Sequence, residues 1–497
     1  MSTTVNLEFT LTVTDSDGVS ASDTVVITIT DTPATARFSI GGSISGNSAA
    51  VTLDLNGLEE TFPGPSFTFV QQVDDGAVYA VQFVSTPSNQ VCGVKNGGGV
   101  AVADVTNVEV TCSAPITELR YPDAEVTGSL SHGDFDGDGF VDLVFTIRTL
   151  DGHPSGTNNR MLRVTYGTGA GGFSGVTDIF GVGLPGGANQ RGHTLISGDF
   201  NGDAVEDFAY SGSVGIQVLA GAADKNHTSV FSGSNFGGEE PLYTLDADGD
   251  NDLDFVALDF DPILHLNQGT DFDNAQVFDS SLIGSSINMV LGDFNGDGLD
   301  DILEIGQESI TDIALALFPG NVAGSFDLPS LVEPLSSDLF LGGNVFDIIS
   351  KEMTAGDFDA DGDLDIAITS TTNFLQIMLN DGSGQFTVGQ RVLAGNEAIH
   401  IRAADFDNDS VLDLATINQT SRTAVISLGN GDGTFADSGV NDPRSITLQL
   451  DLDVDLRDMN IVDIDGDGFL DILFAEDGTN PPNTGRGSVQ FLLAPAR

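Results

Sequence analysis

The chain has 497 residues with 74 acidic side chains against 16 basic ones, a formal net charge of −58, and 32 phenylalanines but no tryptophan. Such a balance excludes nucleic acid and anionic lipid as partners, because both are bound through basic surface. A hydrophobic content of 40% over this length points to several folded domains, and no run of 18 apolar residues is present to insert into a membrane as a helix.

Residues 1–33 alternate as a hairpin, with Phe9, Leu11 and Val13 on one strand, a turn at Asp15–Gly18, then Val25, Ile27 and Ile29. The stretch LTVTDSDGVSASDTVVITIT resembles the last two strands of a PKD-type or cadherin-like sandwich. Residues 35–114 carry six further candidate strands, beginning at Arg37, Ala50, Ser66, Val78, Gly99 and Asn107. Turn signals about every 8 to 12 residues make this an Ig-like sandwich of the kind that resembles spacer modules in bacterial surface proteins. The chain's two cysteines, Cys92 and Cys112, both fall here. A disulfide would tie the NQVCGV strand to the NVEVTC strand; two buried thiols are the alternative.

From about residue 115 a new pattern takes over. A short aspartate ladder followed by a hydrophobic run occurs seven times, with first aspartates separated by 65, 47, 47, 64, 48 and 58 residues. A supersecondary unit repeated at such a period marks a solenoid, propeller or array. Counting from the first aspartate, positions 1, 3, 5 and 9 are Asp134, Asp136, Asp138 and Asp142, then Asp199, Asn201, Asp203 and Asp207. The third and fourth copies supply Asp246, Asp248, Asp250, Asp254 and Asp293, Asn295, Asp297, Asp301. The last three supply Asp357, Asp359, Asp361, Asp365, then Asp405, Asp407, Asp409, Asp413, and finally Asp463, Asp465, Asp467, Asp471.

Oxygen ligands at this spacing are how a short loop wraps a hard cation, so up to seven Ca²⁺ are expected. They would offset only 14 units of the net charge of −58. The remaining acidity suits a secreted protein kept soluble by self-repulsion. Position 6 must turn sharply, which favours glycine. Gly139, Gly298, Gly362 and Gly468 meet that need, Asn251 and Ser410 are tolerable, and Ala204 is the poor fit. The Asp199 loop, which also carries Asn201, is therefore expected to be the weakest site.

Around the fifth ladder the unit is clearest: KEMTAGDFD runs into the ladder and LDIAITS leaves it, then FLQIMLN, a DGSGQF turn and FTVGQRVL follow. Four antiparallel strands in each of seven units predict an all-β chain whose C-terminal part, residues 115–497, is a seven-bladed β-propeller behind its N-terminal sandwich modules. The last segment, VQFLLAPAR, matches only a third strand, so ITELRYP at Ile116–Pro122 is expected to supply the fourth and close the ring.

The GDFDGDG ladder with its NDGSGQF-type turn resembles the FG-GAP or VCBS repeats of integrin α-subunit propellers and bacterial surface proteins. An EF-hand would instead need flanking helices and a glutamate at position 12. The resemblance implies that the loops brace the blades and do not touch ligand, which makes folding calcium-dependent.

Catalysis is not expected. The six histidines, His132, His153, His193, His227, His265 and His400, have no zinc-type spacing, no nucleophile motif is present, and the ladder carboxylates are committed to metal. Binding is expected instead on loops opposite the ladders, in the insertions at Leu150–Arg160, Asp327–Lys351, Gly439–Asp451 and Glu476–Gly487. Those loops and their neighbours hold Arg160, Arg191, Lys351, Arg422, Arg444 and Arg486, and arginine forks carboxylate or sulfate groups. A cell-surface glycan or protein is the expected partner. The start, MSTTVNLEFT, lacks a signal peptide, so an extracellular or cell-surface protein of which this is one piece is the expectation.

Overall fold

The computed structural model describes residues 4–30, 36–47, 49–85, 91–113, 117–150, 153, 155, 159–169, 171–179, 195–212, 215–232, 241–258, 261–269, 272, 276–278, 282–283, 285–307, 313–335, 352–370, 373–395, 397–421, 423–436, 445–449, 455–466, 468–477 and 487–492. Among them the secondary structure is all β. No helix of the described residues is long and apolar enough to cross a membrane.

The N-terminal hairpin pairs Thr4–Thr14 with Ser20–Thr30, placing Phe9 opposite Val25. Asp15 stabilises the turn by accepting the N–H groups of Asp17 and Val19 at 3.0 and 2.9 Å. Its apolar residues Phe9, Leu11, Val13 and Val25 are all more than half exposed.

Next come two four-stranded sheets around one core. One orders Ser66–Asp74, Arg37–Ser45, Val105–Ser113 and Val91–Lys95; the other orders Leu58–Phe62, Val51–Leu55, Val78–Ser85 and Gly98–Val100. Their inward residues, including Ile40, Leu53, Phe67, Phe69, Val81 and Val110, form a single buried cluster. The sequence reading missed Leu58–Phe62, whose pattern is masked by two adjacent glutamates. It also overran Gly98–Val100, which stops before Val105 begins a strand parallel to Arg37–Ser45. The register sets Cys112 directly opposite Cys92.

Seven four-stranded antiparallel sheets follow among the described residues. Their first strands are Ala124–Gly133, Leu195–Gly198, Leu242–Leu245, Ser285–Gly292, Met353–Gly356, Ala398–Ala404 and Asp455–Val462, and each packs against the first strand of the next sheet. Apolar clusters fill the seams. Phe135, Tyr166 and Phe208 join the first and second sheets, and Leu303, Ile305, Ile366 and Met378 the fourth and fifth. The cycle closes where Phe145 and Ile147 of the first sheet meet Phe474's neighbours Leu473 and Ala475, with Phe491, of the last. Thr117–Leu119 supplies that last sheet's fourth strand, pairing antiparallel with Ser488–Leu492. Chain-end pairing of this kind gives the last sheet its fourth strand and closes the cycle, leaving each sheet a short outer edge, as in a β-propeller.

Two segments read from sequence as binding insertions are partly strand. Ser330–Leu335 and Ser445–Gln449 are the outermost strands of the fourth and sixth sheets. The first contains Pro334, which an outermost strand admits.

Candidate metal centres

Every ladder lies between the first and second strands of its sheet, and its position-9 aspartate is the first residue of the second strand. The seven residues, Asp142, Asp207, Asp254, Asp301, Asp365, Asp413 and Asp471, are almost wholly buried. One carboxylate oxygen accepts the N–H of position 2, at 2.7–3.0 Å from Phe135, Phe200, Ala247, Phe294, Phe358, Phe406 and Ile464. In the first six sheets the other accepts an N–H just past or at the end of the third strand, at 2.7–2.8 Å: Gly167, Gly221, Asn267, Gly320, Asn380 and Gly429. Position 9 is thus a staple between strands, a role the ligand spacing alone did not reveal.

Position 1 folds back over the loop. Asp134 accepts the N–H groups of Asp138 and Gly139 at 2.9 and 2.8 Å, and Asp293 accepts those of Gly296, Asp297 and Gly298. These bonds demand left-handed backbone at position 6, and all seven residues there have it, including Ala204 (φ 68°), Asn251 (71°) and Ser410 (70°). Position 4 is left-handed too, at Gly137, Gly202, Gly249, Gly296, Ala360, Asn408 and Gly466. Each loop therefore carries two such residues, where the sequence reading asked for one.

The loops also clasp their neighbours. Asn267 Nδ2 donates to the carbonyl of Phe200 at 2.7 Å, Ala222 N–H to Phe135 at 2.8 Å, and Gly433 N–H to Phe358 at 2.9 Å, each from one sheet to the ladder of the preceding one. Position 8 completes the fit: a Cβ on Gly198 would fall 2.4 Å from Leu253 Cδ1, and one on Gly356 2.6 Å from Leu412 Cδ1. The glycine before these ladders makes room for the next sheet's leucine, a signal legible in sequence once the packing is known.

The donor set fits a hard cation. Oxygens of Asp134, Asp136 and Asp142 converge within 4.8 Å of one another, as do those of Asp246, Asp248 and Asp250, of Asp357, Asp359 and Asp361, and of Asp405, Asp407 and Asp413. Asp248 and Asp252 each keep a buried oxygen with no hydrogen-bond donor, which a cation would satisfy. Burial pushes Asp142 and Asp413 up to about 7 and Asp207, Asp254, Asp301 and Asp365 to about 6, against the two N–H donors that hold each down. In two ladders an asparagine already serves position 9: Asn201 Nδ2 donates to Asp207 and Asn295 Nδ2 to Asp301, both at 3.1 Å. Asp467 lies outside the described residues.

Of the six cations expected to bind ligand, Arg160 opens the third strand of the first sheet, opposite Arg148. Arg191, Lys351, Arg422, Arg444 and Arg486 lie outside the described residues. Two other described arginines, Arg163 and Arg402, make locks with carboxylates. Arg163 forks Asp178 at 2.7 and 2.9 Å and Asp123 at 3.1 Å, and lies over the Tyr121 ring at 4.8 Å. His153 bonds Asp178 at 2.9 Å beside it. Asp123, His153 and Asp178 could otherwise hold a metal, but Arg163 already supplies their counter-charge. Glu352 similarly ties the fifth sheet to the sixth, accepting from Arg402, from His400 Nδ1 at 3.1 Å and from Ile401 N–H at 2.9 Å.

The FG-GAP-like repeat family matches residues 357–416, the unit running from the fifth ladder into the sixth sheet. No curated protein matches the chain. A lectin from Agrocybe aegerita that recognises non-reducing terminal N-acetylglucosamine is similar at 16% identity over 79% of this chain and 90% of its own, with a TM-score of 0.46. An exotype rhamnogalacturonan lyase, YesX, is similar at 13% identity over 92% and 74%, at 0.30. A protein from Lactobacillus plantarum gives 13% identity over 72% and 99%, at 0.42. The matched repeat and the ring of small sheets agree in a β-propeller-like repeat fold.

Proposed function

We propose that this chain is a calcium-binding adhesion or recognition module of an extracellular surface or secreted protein. Its seven sheets act as the blades of one propeller of the integrin-like kind, behind PKD-like and Ig-like pieces. The observation that carries the reading is the convergence of ladder carboxylates at the seams, where the first, second, fourth and fifth loops are clasped by the following sheet. Bound calcium would supply positive charge to the converging carboxylates. The chain's own residues do the rest: position 1 shapes the loop, position 9 staples the strands, and the next sheet's turn closes over both. Ligand recognition falls to loops on the opposite face, with a cell-surface glycan or protein as partner and no catalysis. The facing cysteines suit an oxidised pair, since directly opposed antiparallel residues lie about 4.5–5.5 Å apart at Cα, within disulfide range.

The test is a thermal melt with and without chelator, followed by a glycan array of the full chain in millimolar-range calcium. A lower midpoint in chelator and calcium-dependent binding to uronate or sulfated glycans are expected. An unchanged midpoint overturns the calcium reading. A blank array from folded protein favours a protein ligand or a bare scaffold, and array binding by a longer parent with a catalytic domain makes this a carbohydrate-binding appendage.

A further inference from the structure

The first ladder already contains a cation. Lys225 Nζ sits 2.8 Å from Asp136 Oδ2, and Asp136 is 4% exposed at its side chain. The lysine belongs to the second sheet, in the turn after Gly215–Leu219, and is one of only three in the chain. Its side chain is 41% exposed, but its backbone is fixed. Its backbone is left-handed at φ 61°, its N–H donates to Ala222 at 2.7 Å, and Ala222 N–H in turn donates to Phe135 within the first ladder. The ammonium also lies 3.7 Å from the centre of the Tyr166 ring, whose hydroxyl is held by Thr177 and His227 at 2.8 and 3.0 Å. Cation–π attraction adds to the ion pair and fixes where the charge sits. Glu206, also from the second sheet, reaches the same ladder; a Cβ on Gly133 would meet its Oε2 at 2.0 Å.

We propose that Lys225 is a tethered counter-cation for the first ladder, making that loop the weakest calcium site and a brace that works without metal. Asp136 is one of the three carboxylates converging there, and two cations cannot share its oxygens at contact distance without strong repulsion. Calcium entering this loop must first displace the ammonium. This inference rests on the reading of the ladders as calcium sites and changes their ranking, since spacing and position 6 alone single out the Asp199 loop.

The experiment is a Ca²⁺ titration by calorimetry of the wild-type chain, Lys225→Met and Lys225→Arg, each first melted in chelator. Lys225→Met is expected to gain one tight equivalent, its affinity rising on the order of tenfold as the competing charge goes, while melting lower than wild type in chelator. Lys225→Arg keeps the charge and is expected to titrate like wild type. Identical titrations of wild type and Lys225→Met overturn the inference while leaving the ladder reading intact. If neither binds calcium, both fall together.

Discussion

Asn380 of the fifth sheet donates its side-chain amide to the carbonyl of Phe294 in the fourth sheet's ladder at 2.8 Å, and to Leu364 in its own ladder at 3.1 Å. Its backbone N–H bonds Asp365 at 2.8 Å. One asparagine thus joins two ladders and a strand end, and Asn267 repeats the arrangement two seams earlier. Replacing Asn380 by alanine leaves the Phe294 carbonyl buried without its donor. A loss of about 1–3 kcal/mol is expected, read as a shift in urea midpoint.

Position 9 and position 5 should separate in mutagenesis. Asp365 is fully buried with two backbone donors, whereas Asp361 is exposed. Asp365→Ala is expected to destabilise by roughly 2–6 kcal/mol with or without calcium, because two buried N–H groups lose their acceptor. Asp361→Asn should lower the melting point only in calcium. Equal losses in chelator for both variants would remove the distinction between staple and ligand.

Ala204 sits at φ 68° in a position where the other loops use glycine, asparagine or serine. Left-handed backbone costs a residue with a Cβ about 1–2 kcal/mol. Ala204→Gly is therefore expected to stabilise the chain, by up to about 1 kcal/mol once the extra freedom of the unfolded glycine is counted. Denaturant unfolding in chelator measures it directly, and a destabilised variant would refute the strain.

Glu304 is fully buried among the apolar residues that join the third and fourth sheets, beside Met289 and Ala316 in register. Burial pushes its carboxyl up to about 8. Between the ordinary glutamate value and about 8 the folded chain holds a proton that the unfolded chain has released. Stability from this group is accordingly present at low pH and lost as pH rises, by roughly 1.4 kcal/mol per unit within that window. Glu304→Gln should flatten the fall between pH 5 and pH 8 and melt higher than wild type at pH 8. Parallel curves for the two proteins would contradict the assignment.

The aspartate ladders and the ring were legible because both are written locally or by simple complementarity. Nine residues contain a whole ladder, and the alternation of Met353–Gly356, Asp365–Thr369 and Phe374–Asn380 is visible within one unit. ITELRYP could be matched to the final strands because one sheet lacked a partner, and Thr117–Leu119 pairs there. The cations expected on the ligand face were harder. Arg160 alone falls in the described residues, while Arg163, which spacing did not single out, is the one locked between two carboxylates.

By itself, then, the sequence determined the strand order of the repeated units, the places of the aspartate ladders and the chain's acidity, since each depends on residues a few positions apart or on total charge. Tertiary structure alone decided which side chain meets which ladder. Lys225 reaches Asp136 across 89 positions and Asn380 reaches Phe294 across 86. Contacts between sheets follow from how twisted strands stack around a ring, and no periodicity along the chain records which side chain the stacking brings to a neighbour's loop.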